Sequence, residues 1–239
     1  MRTLDGSRRL WAWSLSAMVY EWSYIRVAHQ IDIDFLRYLG DRVSGAIVVD
    51  CGCGPGVVAE KLLQAGASRV VAIDTNASML EKAKSRLSKA ITNGQVVLRQ
   101  ASHEGETLTH LYQQEIGGGR GFDIVLFKRS LYMPRSRAVQ TIRHAASTLD
   151  AAGVMVIIHP ERSLLRYAFS PPFGLTSYTL FHLGNRAASR FAEWCGMEEY
   201  TLYSRRELIA MLREAVPEAR IELIPSRQRP YNLAALQVS

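Results

Sequence analysis

The sequence predicts an α/β fold built on a doubly wound sheet, and three observations support this prediction. From residue 46 onward, apolar runs rich in β-branched residues alternate with segments of helical periodicity, as β-α-β units require. The first run, Ala46–Asp50, ends in an acid and leads directly into a turn with three glycines. The second run, Arg69–Asp74, also ends in an acid, so both carboxylates are expected at one edge of the sheet. The length of 239 residues, with 48% hydrophobic and 21% charged residues, suits one globular domain with additions.

Each element is predicted from its period and its boundaries. Apolar residues at helical spacing begin after Pro55 and stop at Gly66, and a second helix begins at Thr75 or Asn76, either of which can act as N-cap. That helix is expected to run to about Ala90, and two more helices cover about Arg135–Leu149 and Arg205–Ala215. The predicted strands are Ala46–Asp50, Arg69–Asp74, Gln95–Gln100, Phe122–Phe127, Val154–His159, Arg220–Ile224 and Asn232–Val238.

Two segments fall outside this alternation. Residues 1–44 are rich in aromatic side chains and are predicted to form an N-terminal helical cap. Residues 160–203 interrupt the core, which we assign to residues 45–239, and are predicted to form a largely helical lid, because a structureless insertion of this length is unusual. The apolar stretch near residues 10–19 is too short to cross a bilayer and is interrupted by Glu21, so we interpret it as an amphipathic helix.

The glycine turn, Asp50-Cys51-Gly52-Cys53-Gly54-Pro55-Gly56, predicts a bound ligand in contact with bare backbone. A dinucleotide motif reads G-x-G-x-x-G, but here the third glycine comes one residue early. Asp50 would repel a pyrophosphate, whereas it can accept hydrogen bonds from an ammonium group. Asp74 lies 18 residues beyond Gly56, where a carboxylate can bind both hydroxyls of a ribose. An acid that only stabilises the start of a helix is the alternative for Asp74.

These motifs resemble those of the Rossmann-like (class I) methyltransferases that use S-adenosyl-L-methionine (SAM), in particular those acting on small molecules. The resemblance implies a seven-stranded sheet with an antiparallel last strand, SAM as cofactor and S-adenosyl-L-homocysteine (SAH) as product. Many members carry an acid after the third strand, whereas this chain has Ala101 and Ser102 there. The cofactor-binding residues implied are Asp50, Gly52, Cys53, Gly54, Gly56, Asp74, Thr75, Asn76, Ala101, Ser102, Phe127 and Tyr20.

The acceptor side of the site is predicted at the ends of the fourth and fifth strands. His159 follows the fifth strand and is a candidate general base, with a hydrogen-bonded structural histidine as the alternative. Tyr132, after the fourth strand, is the second catalytic candidate. Candidate substrate contacts are Tyr24, Arg129, Tyr178 and His182.

Charge and cysteine content leave the acceptor open. Five basic residues and no acid lie between Lys128 and His144, which favours a solvated helix face, an anionic substrate or RNA. An Asn/Asp-Pro-Pro-aromatic motif is missing after the fourth strand, which counts against methylation of base amino groups. The favoured reading is a small-molecule methyltransferase of secondary or cofactor metabolism; an RNA methyltransferase and a non-catalytic SAM-binding subunit are the alternatives. Three cysteines without a C-x-x-C pair predict no metal site and a reducing, cytoplasmic location, and a homodimer is compatible with the sequence.

Overall fold

A computed structural model of the chain describes residues 29–104, 107–115, 121–160, 201–225 and 231–238. Its centre is a seven-stranded sheet in the order β3-β2-β1-β4-β5-β7-β6. Strands β1 to β5 are parallel, and β7 runs antiparallel between β5 and β6, which confirms the predicted fold class. The strands are β1 Ile47–Cys51, β2 Arg69–Asp74, β3 Val96–Gln100, β4 Phe122–Lys128, β5 Leu149–Pro160, β6 Arg220–Leu223 and β7 Tyr231–Gln237.

The helices agree with the sequence periodicity except at two places. The helix expected to reach Ala90 breaks at Leu87, and the segment Thr107–Glu115 forms a helix that was not predicted. The described helices are α1 His29–Leu39, α2 Val57–Gln64, α3 Ala77–Arg86, α4 Ser88–Thr92, α5 Thr107–Glu115, α6 Arg135–Ala146 and α7 Arg205–Ala215, and a 3-10 turn over Gly40–Val43 follows α1.

Strand β5 starts five residues earlier than predicted because Gly153 lies within it rather than before it. A Cβ at Gly153 would lie 2.8 Å from the carbonyl oxygen of Phe122, so only glycine fits at this close approach. The pairing of β4 with β5 changes register between Phe122 and Ile124, next to this glycine. Gly153, which we expected between the preceding helix and β5, therefore lies at a bulge within this strand.

The two faces of the sheet carry separate hydrophobic cores. One face packs against α1, α2 and α3 through residues such as Phe35, Leu62 and Leu80. The other packs against α5, α6 and α7 through residues such as Leu108, Ile142 and Leu212. Because successive side chains of a strand point to opposite faces, neighbouring residues of β4 and β5 contribute to different cores.

Strand β1 lies between β2 and β4, so the strand order reverses on either side of it. In open α/β sheets the ligand-binding crevice forms beyond the carboxyl ends of the strands at such a point. The glycine turn follows β1 directly, and α1, within the predicted cap, packs Ile31, Phe35 and Leu39 into the core nearby. The rest of the cap (residues 1–28) and most of the lid (residues 161–200) lie outside the described residues.

Candidate active site

The glycine turn after β1 adopts a backbone that requires glycine. Gly52, Gly54 and Gly56 have φ values of 76°, 54° and 76°, in the left-handed region that other residues adopt only with strain. A Cβ at Gly52 would lie 2.6 Å from the Cβ of Ser130, in the loop after β4. The turn therefore packs tightly against the neighbouring strand's loop while its own backbone stays accessible at the partly exposed Gly52.

The third glycine allows two helices to pack closely, and its contact with a cofactor stays a prediction. A Cβ at Gly56 would lie 2.8 Å from Leu87 and 3.1 Å from Ala83, so this residue lets α2 begin directly against α3. Cys53 is buried within the turn, and burial raises the pKa of its thiol well above the ordinary range. Neutral Cys53 therefore contributes backbone and bulk, not a thiolate.

Asp50, at the end of β1, is a buried carboxylate with an unused acceptor. Only 1% of the residue is exposed, and its Oδ2 has no hydrogen-bond partner among the described residues. Burial raises the pKa of Asp50 to about 7; the positive charge of Lys128 opposes this rise. An oxygen that is buried and without a donor fits a cationic ligand group, and the predicted ammonium contact is chemically consistent with it.

Asp74, at the end of β2, is fixed by the glycine turn itself. Its Oδ2 accepts from the backbone N–H of Gly54 at 2.8 Å, and its Oδ1 accepts from that of Asn76 at 2.8 Å. Burial raises the pKa of Asp74, and the backbone hydrogen bonds counteract this rise. The bond to Gly54 spans 20 residues of sequence, so Asp74 does more than stabilise a helix start, and its remaining lone pairs can accept from a diol.

Of the two predicted caps, Asn76 is the N-cap of α3. Its side-chain oxygen accepts from the backbone N–H groups of Ser78 at 2.9 Å and Met79 at 3.3 Å. Thr75 is exposed, and its carbonyl oxygen accepts from the side chain of Gln100 at 3.3 Å. Sequence reasoning missed Gln100, the last residue of β3. The available signal was its position at the end of a strand beside Asp74.

The segment after β3 lies next to these residues. The backbone N–H of Ala101 donates to the Asp74 carbonyl at 3.1 Å, which brings Ala101 beside the predicted ribose site. The Ser102 hydroxyl accepts from the backbone N–H of Glu104 at 3.1 Å, so one of its lone pairs is engaged in a local turn. His103 packs edge-on against Phe127 with ring centroids 5.6 Å apart.

The end of β4 places neighbouring residues on opposite faces of the sheet. Phe127 is fully buried in the core with α6 and α7, whereas Lys128 points to the face that carries α1. Arg129 has a φ of 56°, and its backbone N–H donates to the carbonyl of Ile158 at 2.8 Å. A non-glycine residue in this conformation is strained, and such strain is concentrated at functional sites.

His159, at the end of β5, is completely buried. Its Nε2 accepts from the backbone N–H of Tyr203 at 3.0 Å, and burial lowers the pKa of the imidazole to about 3. The rings of Tyr132 and Tyr203 lie 5.5 and 5.3 Å away. The basic nitrogen thus supports the chain after the lid; a catalytic role stays a prediction, and the geometry favours the alternative of a structural histidine.

The remaining predictions fall outside the described residues: Tyr20, Tyr24, Tyr178 and His182. Sequence reasoning missed Asp32 on α1, which contacts both Lys61 of α2 and Lys128 of β4. An acid on an apolar helix face was the only available signal. Within the described residues, no helix is long and apolar enough to cross a membrane, and no cluster of side chains could hold a metal ion.

Comparisons with known proteins relate the chain to methyltransferases. Residues 48–153 match a family model described as a methyltransferase domain. None of the curated protein sequences matches the chain.

Solved structures share the fold. An O-methyltransferase family protein from Burkholderia thailandensis has a TM-score of 0.68 at 15% identity; the match covers 100% of this chain and 64% of that one. Magnesium protoporphyrin IX methyltransferase from Synechocystis, with bound SAH, has a TM-score of 0.57 at 16% identity and coverages of 88% and 83%. An O-methyltransferase from neocarzinostatin biosynthesis, in complex with SAH and 1,4-dihydroxy-2-naphthoic acid, has a TM-score of 0.58 at 17% identity and coverages of 95% and 56%.

The donor set fits the cofactor of this family. A buried, unsatisfied carboxylate oxygen at Asp50 suits an ammonium group, an anchored carboxylate at Asp74 suits a ribose, and the glycine turn between them admits close approach. Residues 48–153 therefore resemble a methyltransferase domain in sequence, and the chain shares the fold of solved methyltransferases.

Proposed function

We propose that the protein transfers the methyl group of SAM to a small-molecule acceptor. In this proposal Asp50 binds the ammonium group of SAM, Asp74 binds its ribose hydroxyls, and the acceptor lies beyond β4 and β5. Bound SAM supplies a methyl group on a sulfonium that is already activated, so the protein's main tasks are alignment and exclusion of water.

The choice of a small-molecule acceptor rests on the ion pairs and hydrogen bonds that basic residues between Lys128 and His144 form within the chain. Lys128 contacts Asp32, Arg135 contacts Glu214 at 2.6 Å, and Arg137 donates to Glu104 at 2.8 Å. Arg143 donates to the carbonyl oxygens of Glu214 and Ala215 at the end of α7, both at 3.3 Å.

These contacts engage the cations that motivated the RNA alternative. A surface that binds a nucleic-acid backbone presents its cations to phosphates, whereas the cations named above hold this chain's own acids and carbonyls. This supports a small acceptor, in line with the names of the structural neighbours.

We propose Arg129 as a contact for an anionic group of the acceptor. Its strained backbone holds it at the carboxyl edge of the sheet, and its charge reaches Tyr231 of β7, opposing the rise that burial causes in the pKa of that phenol. Tyr132 and Phe127 lie on the same edge. A carboxylate or phosphate on the acceptor would be held there by a guanidinium.

Labelled SAM and pooled acceptors test this proposal. The full chain is incubated with methyl-labelled SAM and fractionated small-molecule and RNA pools, and transfer to an acid-bearing small molecule is expected. The Arg129→Gln variant should raise the KM of that acceptor at least tenfold and leave SAH affinity unchanged, because an ion pair to a ligand is lost. Label in RNA alone would contradict the proposal, and SAH binding without transfer to any pool would favour the non-catalytic subunit.

A further inference from the structure

A buried cluster of charges connects helix α1 with the ends of β1 and β4. Asp32 is completely buried on α1, and Lys128 at the end of β4 is 4% exposed. The Nζ of Lys128 donates to Oδ1 of Asp32, and the Nζ of Lys61 lies 2.6 Å from Oδ2 of the same carboxylate. One buried acid is thus shared by two lysines from different elements.

Asp50 lies on the same face of the sheet as this pair. The register of β1 and β4 places Asp50 opposite Leu126, two residues before Lys128. Because side chains alternate between faces, Leu126 and Lys128 share a face with Asp50, and Phe127 lies on the other. Lys128 is therefore the nearest cation of β4 on the side where the unsatisfied Oδ2 of Asp50 lies.

The charges around Asp50 have unequal effects on its ionisation. Burial is the largest influence and raises its pKa, the charge of Lys128 lowers it, and the charges of Asp74 and Asp32 raise it. Lys61 contacts the same Asp32 but is not among the charges with the largest effect on the pKa of Asp50. Among the described residues, the titratable and charged groups that interact electrostatically with Asp50 or Lys128 are Asp74 of β2, Asp32 of α1, Lys61 of α2, Cys51 and Cys53 of the glycine turn, and Arg129 after β4.

We propose that Lys128, held in place by Asp32, is a positioning residue that keeps the Asp50 carboxylate ionised for the ammonium group of SAM. This inference rests on the proposed contact between Asp50 and that ammonium group. A buried carboxylate that is protonated cannot form this ion pair, so the lysine controls the pH range over which the amino-acid end of the cofactor binds. Helix α1 contributes to cofactor binding through Asp32, without touching the cofactor itself.

The test measures the pH dependence of SAH binding by calorimetry between about pH 5.5 and 7.5, where an α-amino group stays charged. Affinity should rise with pH as Asp50 ionises, with a midpoint near its pKa of about 7. In Lys128→Met the SAH affinity should still be rising at pH 7.5, because the midpoint moves up by about one pH unit, and SAH binding should be about tenfold weaker at pH 6. Lys128→Arg should keep the midpoint of the original protein.

Lys61→Met is the matched control, because it removes the other lysine bound to Asp32 and should leave the midpoint in place. Carboxylate NMR of the ligand-free protein should show the same shift of the Asp50 titration in Lys128→Met. If that variant does not fold, Lys128→Gln, which removes the charge and keeps a hydrogen-bond donor for Asp32, is measured in its place. An unchanged midpoint without Lys128, or equal shifts in Lys61→Met and Lys128→Met, would overturn the proposal.

5′-Methylthioadenosine separates this inference from the site assignment, because it keeps the adenine and ribose of SAM but lacks the amino-acid end. Its affinity should fall in Asp74→Asn and stay unchanged in Lys128→Met. If Asp74→Asn leaves both ligands' affinities unchanged, the cofactor site lies elsewhere. If Asp74→Asn acts as expected and Lys128→Met does not shift SAH binding, only the role of Lys128 is refuted.

Discussion

Each of the two sides of the carboxyl edge buries an ionisable group, and burial shifts the pKa values of the two groups in opposite directions. On the donor side, at β1 and β2, Asp50 is buried beside charged groups, and its pKa is raised to about 7. On the acceptor side, at β5 and β7, His159 is buried among tyrosines, and its pKa is lowered to about 3. The first arrangement leaves a carboxylate that needs a cation, whereas the second leaves a neutral imidazole that accepts a backbone hydrogen bond.

The difference indicates that Asp50 on the donor side lacks a cationic partner, whereas His159 on the acceptor side is held at Nε2 by a backbone hydrogen bond and only its Nδ1 lacks a partner among the described residues. An unpaired buried carboxylate destabilises the free protein and strengthens binding of the cation that satisfies it. A neutral histidine bound to the backbone stabilises the fold at neutral pH and offers little to a reaction there. The proposed chemistry therefore depends on alignment and not on a strong base at His159.

The largest effect is expected at Asp74, which joins the ribose site to the glycine turn. Asp74→Asn should weaken SAH binding about 100-fold, because two charge-assisted hydrogen bonds to a ligand are lost and the contact with Gly54 is disturbed. Calorimetry measures this loss. Asp41→Asn, on an exposed position of the 3-10 turn, should bind SAH as the original protein does, and equal affinity in both variants would refute the donor site.

The second largest effect is on the pH dependence of the free energy of unfolding, to which the two sides contribute with opposite signs. The raised pKa of Asp50 stabilises the ligand-free fold below about pH 4, and this stability is lost as pH rises to about 7. The lowered pKa of His159 has the opposite sign, because its contribution is present above the unfolded value of 6.5 and is lost as pH falls toward 3. Each group changes the free energy of unfolding by about 1.4 kcal/mol per pH unit in its range.

Urea unfolding of two variants between about pH 4.5 and 6 measures these slopes. Asp50→Asn should make stability rise more steeply with pH, and His159→Gln should make it rise less steeply or fall. Asp50→Asn should also be more stable than the original protein at pH 8, when no ligand is present. Parallel curves for the original protein and both variants would show that neither group titrates as its burial requires.

The sequence predicts one side better than the other, because the interacting residues lie close together along the chain on the first side and far apart on the second. The donor side depends on local patterns: three glycines after a strand, an acid at the end of the next strand, and a capping Asn76. These local features are fixed by backbone geometry within one or two elements. The seven-stranded sheet with an antiparallel last strand, which the family resemblance implies, also agrees with the structure.

The acceptor side and the buried charges depend on contacts that no local pattern encodes. Asp32 and Lys128 are separated by 96 residues, and His159 and Tyr203 by 44. Helix α5 was missed because its two buried residues, Leu108 and Leu111, give a short and weak apolar pattern. Asp32 on an apolar helix face is uninformative until the sheet brings its lysine partners beside it.

A smaller effect is expected when a glycine of the turn is replaced. The comparison is with a glycine that has a similar φ value but no close neighbour. Gly52→Ala should lower the free energy of unfolding by about 1–3 kcal/mol more than Gly94→Ala does. Both residues have positive φ values, of 76° and 71°, but only Gly52 would bring a Cβ within 2.6 Å of another residue. Chemical unfolding measures the difference. Equal losses in the two variants would mean that Ser130 moves away at no cost.

The smallest effect concerns the basic run. Arg135→Gln breaks an ion pair with Glu214 in which both side chains are about half exposed, 46% and 53%, so stability should change by less than about 1 kcal/mol. Electrophoretic retardation of transfer-RNA fragments at low salt should be negligible for the original protein and for the variant. Salt-dependent retardation that this substitution weakens would restore the RNA alternative and contradict the pairing argument.

We propose that SAM binds at the β1–β2 end of the sheet edge and leaves the β5–β7 end to the acceptor. Amide hydrogen exchange of the full chain, with and without saturating SAH, distinguishes the two ends. We expect added protection over residues 50–56 and 74–79, and little change over residues 154–159. Protection confined to residues 154–159, or no added protection over residues 50–56, would contradict it.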